Sequence, residues 1–388
     1  MRLEHHPECD KMQVQWVIMD NIAIIIPSLD PDEKLNSTVD GMVDAGFKHI
    51  VLVDDGSSEE HKEPFRKALA EHPECRLVVH EVNKGKGRAL RDAFAYVAEE
   101  LPEVDGVITV DGDGQHTPED TVRLADEMKQ RPGQVILGCR DFSQSHVPTH
   151  NRLGNRISAF IYRAVYGIKL TDTQTGLRAV PAQYLRPFAD EVQGDRYEYE
   201  TNMLIYMKDH GIPYGEIPIN TVYIDDNSSS HFNVFKDSYR IYKPIILFVL
   251  GSCMATVVDL VVFSVLNALT EKGVGIFAAA AAFINKHFIS DYTTASLFLP
   301  TAVARIISSL VDYNFSRTKV FGSDKPARKT IWKYYIICAV RMLLSWLFLS
   351  FLTNILHAQG LIVTLLKVVV DLILFLLSYK WQRTWVFK

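Results

Sequence analysis

The sequence predicts an α/β domain built on a doubly wound, mostly parallel sheet, followed by an all-α membrane domain of four spans. Three observations carry that prediction. Short apolar runs alternate with stretches of helical spacing up to about residue 140, the pattern of parallel strands joined by crossover helices. From Ile245 onward long apolar stretches take over, broken by short polar ones. The 388 residues also exceed one ordinary domain, since roughly 100 to 200 residues per domain is usual.

Residues 22–26 form an apolar run closed by Pro27, and 50–53 form another closed by two aspartates, as buried parallel strands do. Helical spacing over 33–45 ends at Gly46. The alternation continues with a strand at 77–79, a helix at 88–100, a strand at 106–110, a helix at 118–129 and a strand at 135–137. Ligands of such sheets lie beyond the carboxyl ends of the strands, which is where the unusual residues of this chain fall.

The second half offers spans at 245–269, 297–315, 334–356 and 361–379, each near the roughly 20 residues a bilayer requires. A fifth apolar piece, 276–284, is too short. Arg317, Lys319, Lys325, Arg328, Lys329 and Lys333 follow the second span, and Lys380, Arg383 and Lys388 follow the fourth. By the positive-inside rule both segments belong on the cytosolic side, with the N-terminal domain and the C-terminus. Counting 276–284 as a span would put the basic loop outside. Tyr313-Asn-Phe-Ser-Arg-Thr-Lys-Val-Phe321 recurs as Tyr379-Lys-Trp-Gln-Arg-Thr-Trp-Val-Phe387. The membrane half therefore reads as two hairpins related by a parallel repeat, the alternative being two sets of ordinary interface anchors. Aromatic and basic residues alternate over 232–243, either an amphipathic segment in the headgroup layer or a linker with anchors. The expected division is 1–231, 232–244 and 245–388.

A net charge of −5, with no basic stripe interleaved with aromatics, argues against a nucleic-acid partner. Cys9, Cys75, Cys139, Cys253 and Cys338 show no metal-ligand spacing and read as reduced structural residues. The first twenty residues lack the cationic start and apolar run of a secretory signal, so the first domain is expected in the cytosol.

Two acidic clusters follow strands: Asp54-Asp55-Gly56-Ser57-Ser58, and Asp111-Gly112-Asp113-Gly114-Gln115-His116. Carboxylate, glycine, carboxylate in an extended turn aims two acids at one hard cation, Mg²⁺ or Mn²⁺. Such a metal bridges diphosphate oxygens and offsets charge on a departing nucleotide. Either cluster alone reads equally well as an acidic turn. Asn83-Lys84-Gly85-Lys86-Gly87-Arg88 is by itself a weak phosphate-cradle signal.

Taken in order, Pro27, Asp54-Asp55-Gly56-Ser57, the 83–88 segment and Asp111-Gly112-Asp113-Gly114-Gln115 resemble the inverting family 2 glycosyltransferases of GT-A fold. Within that family the polyprenyl-phosphate sugar synthases, of the dolichol-phosphate mannose synthase type, are the closest resemblance, over 22 to about 219. It implies that Pro27, Leu29 and Asp54 contact the nucleotide, with Asp55 beside them. Asp111, Asp113 and Gln115 would surround the metal and diphosphate, with Gly112 in the donor site. Gly112 stands where the family has a bulkier residue and Gly114 where leucine is common, so the sugar pocket is expected to differ in shape. Lys86 or Arg88 would approach a phosphate. Arg140 and Arg156 would hold the lipid phosphate, with Arg152 and Arg163 nearby as solvated charges. A phosphate monoester has a second pKa near 6, and arginine forks position it without removing a proton. Asp172 would orient an arginine or the sugar. Of Glu198 and Glu200, two apart on a helix, one would point into the site, and Glu200 is the choice. His231 would lie on a polar loop near the phosphates. Asp113, Arg140, Arg156, Asp172 and Glu200 are thus the expected catalytic set.

The four-span half, with Gly251, Asp259, Arg305, Asp312, Arg341 and Asp371, resembles the GtrA-like membrane family, associated with handling polyprenyl-linked sugars. Intramembrane ions are costly unless paired, so Asp259 and Asp371 are expected to pair with Arg305 or Arg341. The implied activity is transfer of one sugar from a nucleotide-diphosphate sugar, UDP favoured, to polyprenyl phosphate, undecaprenyl favoured. Partners are the donor, the lipid acceptor and the bilayer. Oligomeric state stays open, a homo-oligomer being one way to shelter the charges of short spans. The rivals are a processive polysaccharide synthase, whose Gln-x-x-Arg-Trp motif this chain lacks, and a lipid-linked sugar transporter with a nucleotide-sugar-binding domain.

Overall fold

The computed structural model describes residues 19–142, 147, 149–220, 234–273, 275–287, 292–357 and 361–387; His231 lies outside them. Internal contacts divide the chain into two compact units, Met1–Asp237 and Ser238–Lys388.

In the first unit the elements run β1 (Met19–Ser28), α1 (Lys34–Asp44), β2 (Phe47–Asp54), α2 (Glu63–Glu71), β3 (Cys75–Val79), α3 (Lys86–Glu100), β4 (Gly106–Thr109) and α4 (Pro118–Gln130). There follow β5 (Val135–Arg140), α5 (Thr149–Ile161), β6 (Arg178–Pro181), α6 (Leu185–Glu191), α7 (Glu198–His210) and β7 (Tyr214–Ile219). The seven strands lie in the order β3-β2-β1-β4-β6-β5-β7. Apolar runs without alternation become the central strands because both sheet faces are covered: Ile22, Ala23, Ile24, Ile25 and Ile26 are all fully buried. They share a core with Leu35, Val39 and Met42 of α1 and Leu124 and Ala125 of α4.

The sheet departs from uniform parallel winding at one strand. β6 runs antiparallel to β4 and to β5 and lies between them, whereas every other pairing is parallel. Its four residues, Arg178-Ala-Val-Pro, are too short to stand out by period. Because β6 enters from the edge where the parallel strands end, the 172–177 turn is delivered to the same edge as the acidic clusters. β5 also extends three residues beyond the expected 135–137, ending at Arg140.

The second unit contains α8 (Val234–Glu271) from Ser238 onward, α9 (Gly275–His287), α10 (Tyr292–Phe315), α11 (Ala327–Leu356) and α12 (Leu361–Trp381). Residues 234–244 are therefore helical and continuous with the first apolar stretch, through Pro244. The short apolar piece near 276–284 is a helix of 13 residues, about 20 Å long at 1.5 Å per residue. Tyr239–Glu271 and Ala327–Leu356 are long and apolar enough to cross a membrane. α10 and α12 have 24 and 21 residues. The two repeat copies adopt the same local structure: π-helical turns at Ser316–Val320 and Gln382–Val386. Each is closed by the following phenylalanine N–H, Phe321 to the Ser316 carbonyl and Phe387 to the Gln382 carbonyl. Phe321 and Phe387 stack at 5.1 Å. Asp259 pairs with Arg305 at 3.7 Å and accepts from Ser308 Oγ at 3.0 Å. Asp371 departs from expectation. It pairs with Lys367, one helical turn away, at 2.6 Å and accepts from Ser345 Oγ, because the i,i+4 spacing supplies a nearer cation than either arginine.

Candidate active site

The carboxyl ends of β1, β2, β4 and β5 face one edge of the sheet, and loops from that edge converge. The 28–30 loop is tied to the 55–58 turn: Asp30 Oδ1 accepts from Ser58 N and Oγ, and Asp30 N donates to Ser57 Oγ. Asp54, buried, accepts from Ser57 N at 2.7 Å. Asp55 lies deeper in the loop framework than its expected place beside the nucleotide. Its Oδ1 contacts His80 Nδ1 at 2.7 Å and accepts from Lys84 N at 2.9 Å, and its Oδ2 accepts from Gly85 N at 2.7 Å. Asp55 thus fixes the 83–88 segment from below. His80, also buried, reaches Asp92 with its other nitrogen. Arg88 turns to Asp92 as well, Nε to Oδ1 at 2.9 Å, an i,i+4 pair.

Lys86, the first residue of α3, instead points into the site. Its ammonium lies 2.7 Å from Asp111 Oδ1 and 3.3 Å from Glu200 Oε1, with the Tyr197 ring 6.0 Å away. Burial opposes the charge, yet Asp111 and Glu200 hold Lys86 above the usual lysine range. Burial likewise opposes the Asp111 carboxylate, but Lys86 and, after it, His116 outweigh the burial and hold Asp111 well below the usual carboxylate range. Glu198 faces elsewhere, bonding the Asp195 and Arg196 backbone. The two residues lie on different sides of α7 because a helix turns about 200° in two positions.

Asp113 is left with the weaker share. Burial, and then repulsion from Asp111, push it above the usual carboxylate range; it accepts from Gln115 N at 3.0 Å. Asp111 and Glu200 share the Lys86 ammonium, and Asp113 is held beside Asp111 against repulsion. His116 Nδ1 and Nε2 are buried without a hydrogen-bond partner. This donor set, oxygen-rich and short of positive charge, fits a divalent cation, with Asp111, Asp113 and Gln115 as the residues that would hold it.

Two glycines are required by close approach. A Cβ on Gly176 would stand 2.5 Å from Asp111 Oδ2, so the 172–177 turn presses directly on that carboxylate. Gly176→Ala is expected to displace Asp111 from Lys86 and lower activity about 100-fold, as misplacement on the order of 1 Å does, with the melting temperature nearly unchanged; kinetics beside a thermal melt check it. A Cβ on Gly112 would meet Ser28 Oγ at 2.5 Å, so Ser28 occupies the space a side chain at this position would need.

Across the β6 turn lies a cavity of about 660 Å³, lined by Arg140, Arg152 and Arg156 together with Asn155, Thr171 and Glu216. Asp172, fully buried, grips Arg140 through Nε at 2.7 Å and Nη2 at 3.2 Å. Arg156 is exposed at the rim. Arg152 Nε donates to the Phe142 carbonyl at 3.0 Å, so this arginine braces the loop after β5 and is more than a solvated charge; Arg163 is not among the lining residues. Pro27 and Leu29 are half-buried at the end of β1. Sequence reasoning passed over His80, Asp92, Gly176 and His116. Only His116 carried a signal, its place directly after the acidic turn.

Residues 23–187 match the family model described as glycosyl transferase family 2. Residues 247–387 match the model described as GtrA/DPMS, transmembrane domain. The chain is 29% identical over 234 residues to an uncharacterized protein of Methanocaldococcus jannaschii, covering 60% of this chain and 93% of the relative. It is 27% identical over 242 residues to the UDP-N-acetylglucosamine–dolichyl-phosphate N-acetylglucosaminyltransferase of Methanococcus voltae, covering 57% and 94%. To the undecaprenyl-phosphate mannosyltransferase of Micrococcus luteus it is 26% identical over 206 residues, covering 52% and 83%.

Proposed function

The chain joins a family 2 glycosyl transferase domain of GT-A fold to a GtrA/DPMS transmembrane domain, and from that premise we propose that it transfers one sugar, with inversion, from a nucleotide-diphosphate sugar to polyprenyl phosphate. A UDP-sugar is the favoured donor, undecaprenyl phosphate the favoured acceptor, and the cytoplasmic face of the membrane the place of reaction. The observation that carries this reading is the arginine cavity. Arg140 is oriented by a buried carboxylate at the end of β5, on the same sheet edge as the Asp111–Asp113 turn, which supports separate sites for an anionic acceptor and a diphosphate donor. Relatives named for transfer to dolichyl and undecaprenyl phosphate support the acceptor class.

In this reading Pro27, Leu29 and Asp54 frame the nucleotide, while Asp55 and His80 hold the 83–88 segment that presents Lys86. Asp111, Asp113 and Gln115 would hold Mg²⁺ or Mn²⁺, which supplies positive charge to the diphosphate as it departs. Arg140 and Arg156 fix the lipid phosphate through bidentate hydrogen bonds. An oxygen of that phosphate, already anionic near neutral pH, attacks the anomeric carbon. The new C–O bond forms on the face opposite the breaking bond to the diphosphate, and no strong base is required. Glu200 holds Lys86 in place from the far side, so that Lys86 can follow the diphosphate charge.

The proposed domains are 1–231 for catalysis, 232–244 for the juxtamembrane segment and 245–388 for four spans, with the catalytic domain and C-terminus cytoplasmic. The Asp259–Arg305–Ser308 and Ser345–Lys367–Asp371 clusters support a role for the membrane unit in passing the polar product through the bilayer, since ionisable groups at that depth usually serve a polar path.

The test is transfer of labelled sugar from a panel of UDP- and GDP-sugars to undecaprenyl and dolichyl phosphate in detergent. One donor giving a lipid-extractable product with a single sugar is the expected result, and EDTA is expected to abolish it until Mn²⁺ or Mg²⁺ is restored. A growing polymer would favour a processive synthase. Binding of a nucleotide-sugar without transfer from any donor would favour the transporter reading.

A further inference from the structure

We infer that His116 is a nitrogen ligand of the divalent cation, joining Asp111, Asp113 and Gln115 in a mixed oxygen and nitrogen set; this rests on the transferase reading of the acidic turn. The imidazole is the outlier among the polar groups of the site. Its side chain is 8% exposed, and neither ring nitrogen has a hydrogen-bond partner. A buried polar group left in that state is destabilising, and the great majority of such groups have a partner.

Geometry says which partner fits. Nε2 stands 3.5 Å from Asp111 Oδ2, beyond a good hydrogen bond. Two ligand atoms each about 2.1 Å from one cation lie about 3 Å apart when adjacent in an octahedron, so a slight inward movement would seat both on the same ion. The other oxygen of Asp111 is held by Lys86, which leaves Oδ2 turned to the imidazole. The ring is carried on a rigid base. Thr117 caps α4 by accepting from Asp120 N, Pro118 follows within the first turn, and Gln115 N is bonded to Asp113. His116 therefore sits between two fixed points, so the backbone that carries the ring is held in place beside Asp111.

A nitrogen ligand changes the metal preference. Mn²⁺ is also at home among oxygen ligands, but as a first-row transition ion it accepts a nitrogen ligand more readily than Mg²⁺, which keeps to oxygen. Loss of His116 should therefore weaken Mn²⁺ binding more than Mg²⁺ binding.

The experiment is pulsed electron paramagnetic resonance of Mn²⁺ added to the full chain in detergent, unlabelled and labelled with ¹⁵N-histidine, beside His116→Ala and His116→Asn. The expected result is a directly coordinated nitrogen in the wild type that changes from ¹⁴N to ¹⁵N on labelling and vanishes in both variants. Their Mn²⁺ dissociation constants should rise at least about tenfold, with circular dichroism unchanged. Absence of nitrogen coupling in the wild type, or its persistence in His116→Ala, would overturn the assignment. Weaker metal binding in the variants without any wild-type nitrogen coupling would also overturn it, leaving His116 as a group that orients Asp111. Sugar transfer with no nitrogen coupling would sink this inference and leave the transferase intact. Nitrogen coupling with no transfer from any donor would do the reverse.

Discussion

Asp113→Asn is expected to lower kcat/KM for sugar transfer by about a thousandfold, equivalent to roughly 4 kcal/mol of transition-state stabilisation, without lowering the melting temperature of the metal-free protein. The two halves of that expectation have one origin. Asp111 already has Lys86 at 2.7 Å, whereas Asp113 is pushed up in pKa by burial and by Asp111 itself. The carboxylate with the least compensation gains most from a divalent cation and therefore contributes most to holding it. In the metal-free protein the same charge is a repulsion, so the neutral amide relieves it. A raised pKa also sets a direction for pH. Protonated Asp113 cannot bind a cation, so metal affinity should begin to fall, as pH is lowered, earlier than it would with an ordinary aspartate. Calorimetric titration with Mn²⁺ across the weakly acidic range, alongside kinetics of the variant, checks both. A variant that binds Mn²⁺ and transfers sugar like the wild type would remove Asp113 from the metal site.

Arg140→Lys is expected to raise the KM for polyprenyl phosphate roughly 10- to 100-fold, because lysine keeps the charge and loses the planar fork, while the KM for the nucleotide-sugar stays unchanged. Lysine is the informative replacement. Arg140→Ala would strand the fully buried Asp172 carboxylate, and breaking a buried pair from one side costs about 3–5 kcal/mol, which would confuse instability with lost recognition. Asp172→Asn tests the same arrangement from behind. The amide keeps the size of the carboxylate and a weaker hold on Nε and Nη2, so the lipid KM should rise less than in Arg140→Lys and in the same direction. If both variants changed the donor KM instead, the arginine cavity would belong to the nucleotide.

Much of the site was legible because its signals are local. Asp54-Asp55, Asp111-Gly-Asp113 and the 83–88 segment can be recognised from neighbours within a few residues, and each follows an apolar run short enough to be a strand. Roles that depend on distant partners were not legible. Asp54 and Asp55 are adjacent and chemically identical, yet Asp54 closes its own turn at Ser57, and Asp55 is engaged by Gly85, 30 positions away. Arg88 and Lys86 lie two apart in one glycine-rich run. Only Lys86 meets the acidic turn, because α3 begins at Lys86 and its rotation carries Arg88 to Asp92.

The sequence by itself determined the division into an α/β part and an apolar helical part, the sites of most strands and helices, and the residue types that can bind a cation and a phosphate. Those follow from period, composition and short-range spacing, which no distant contact can alter. Tertiary structure alone decided that β6 enters antiparallel between β4 and β5, which brings Gly176 against Asp111 and Asp172 against Arg140. It also decided that Asp371 meets Lys367 while Asp259 meets Arg305. The reason is physical. Which carboxylate meets which cation depends on the order of strands in the sheet and the rotation of helices about their axes, and neither quantity is written in any short stretch of chain.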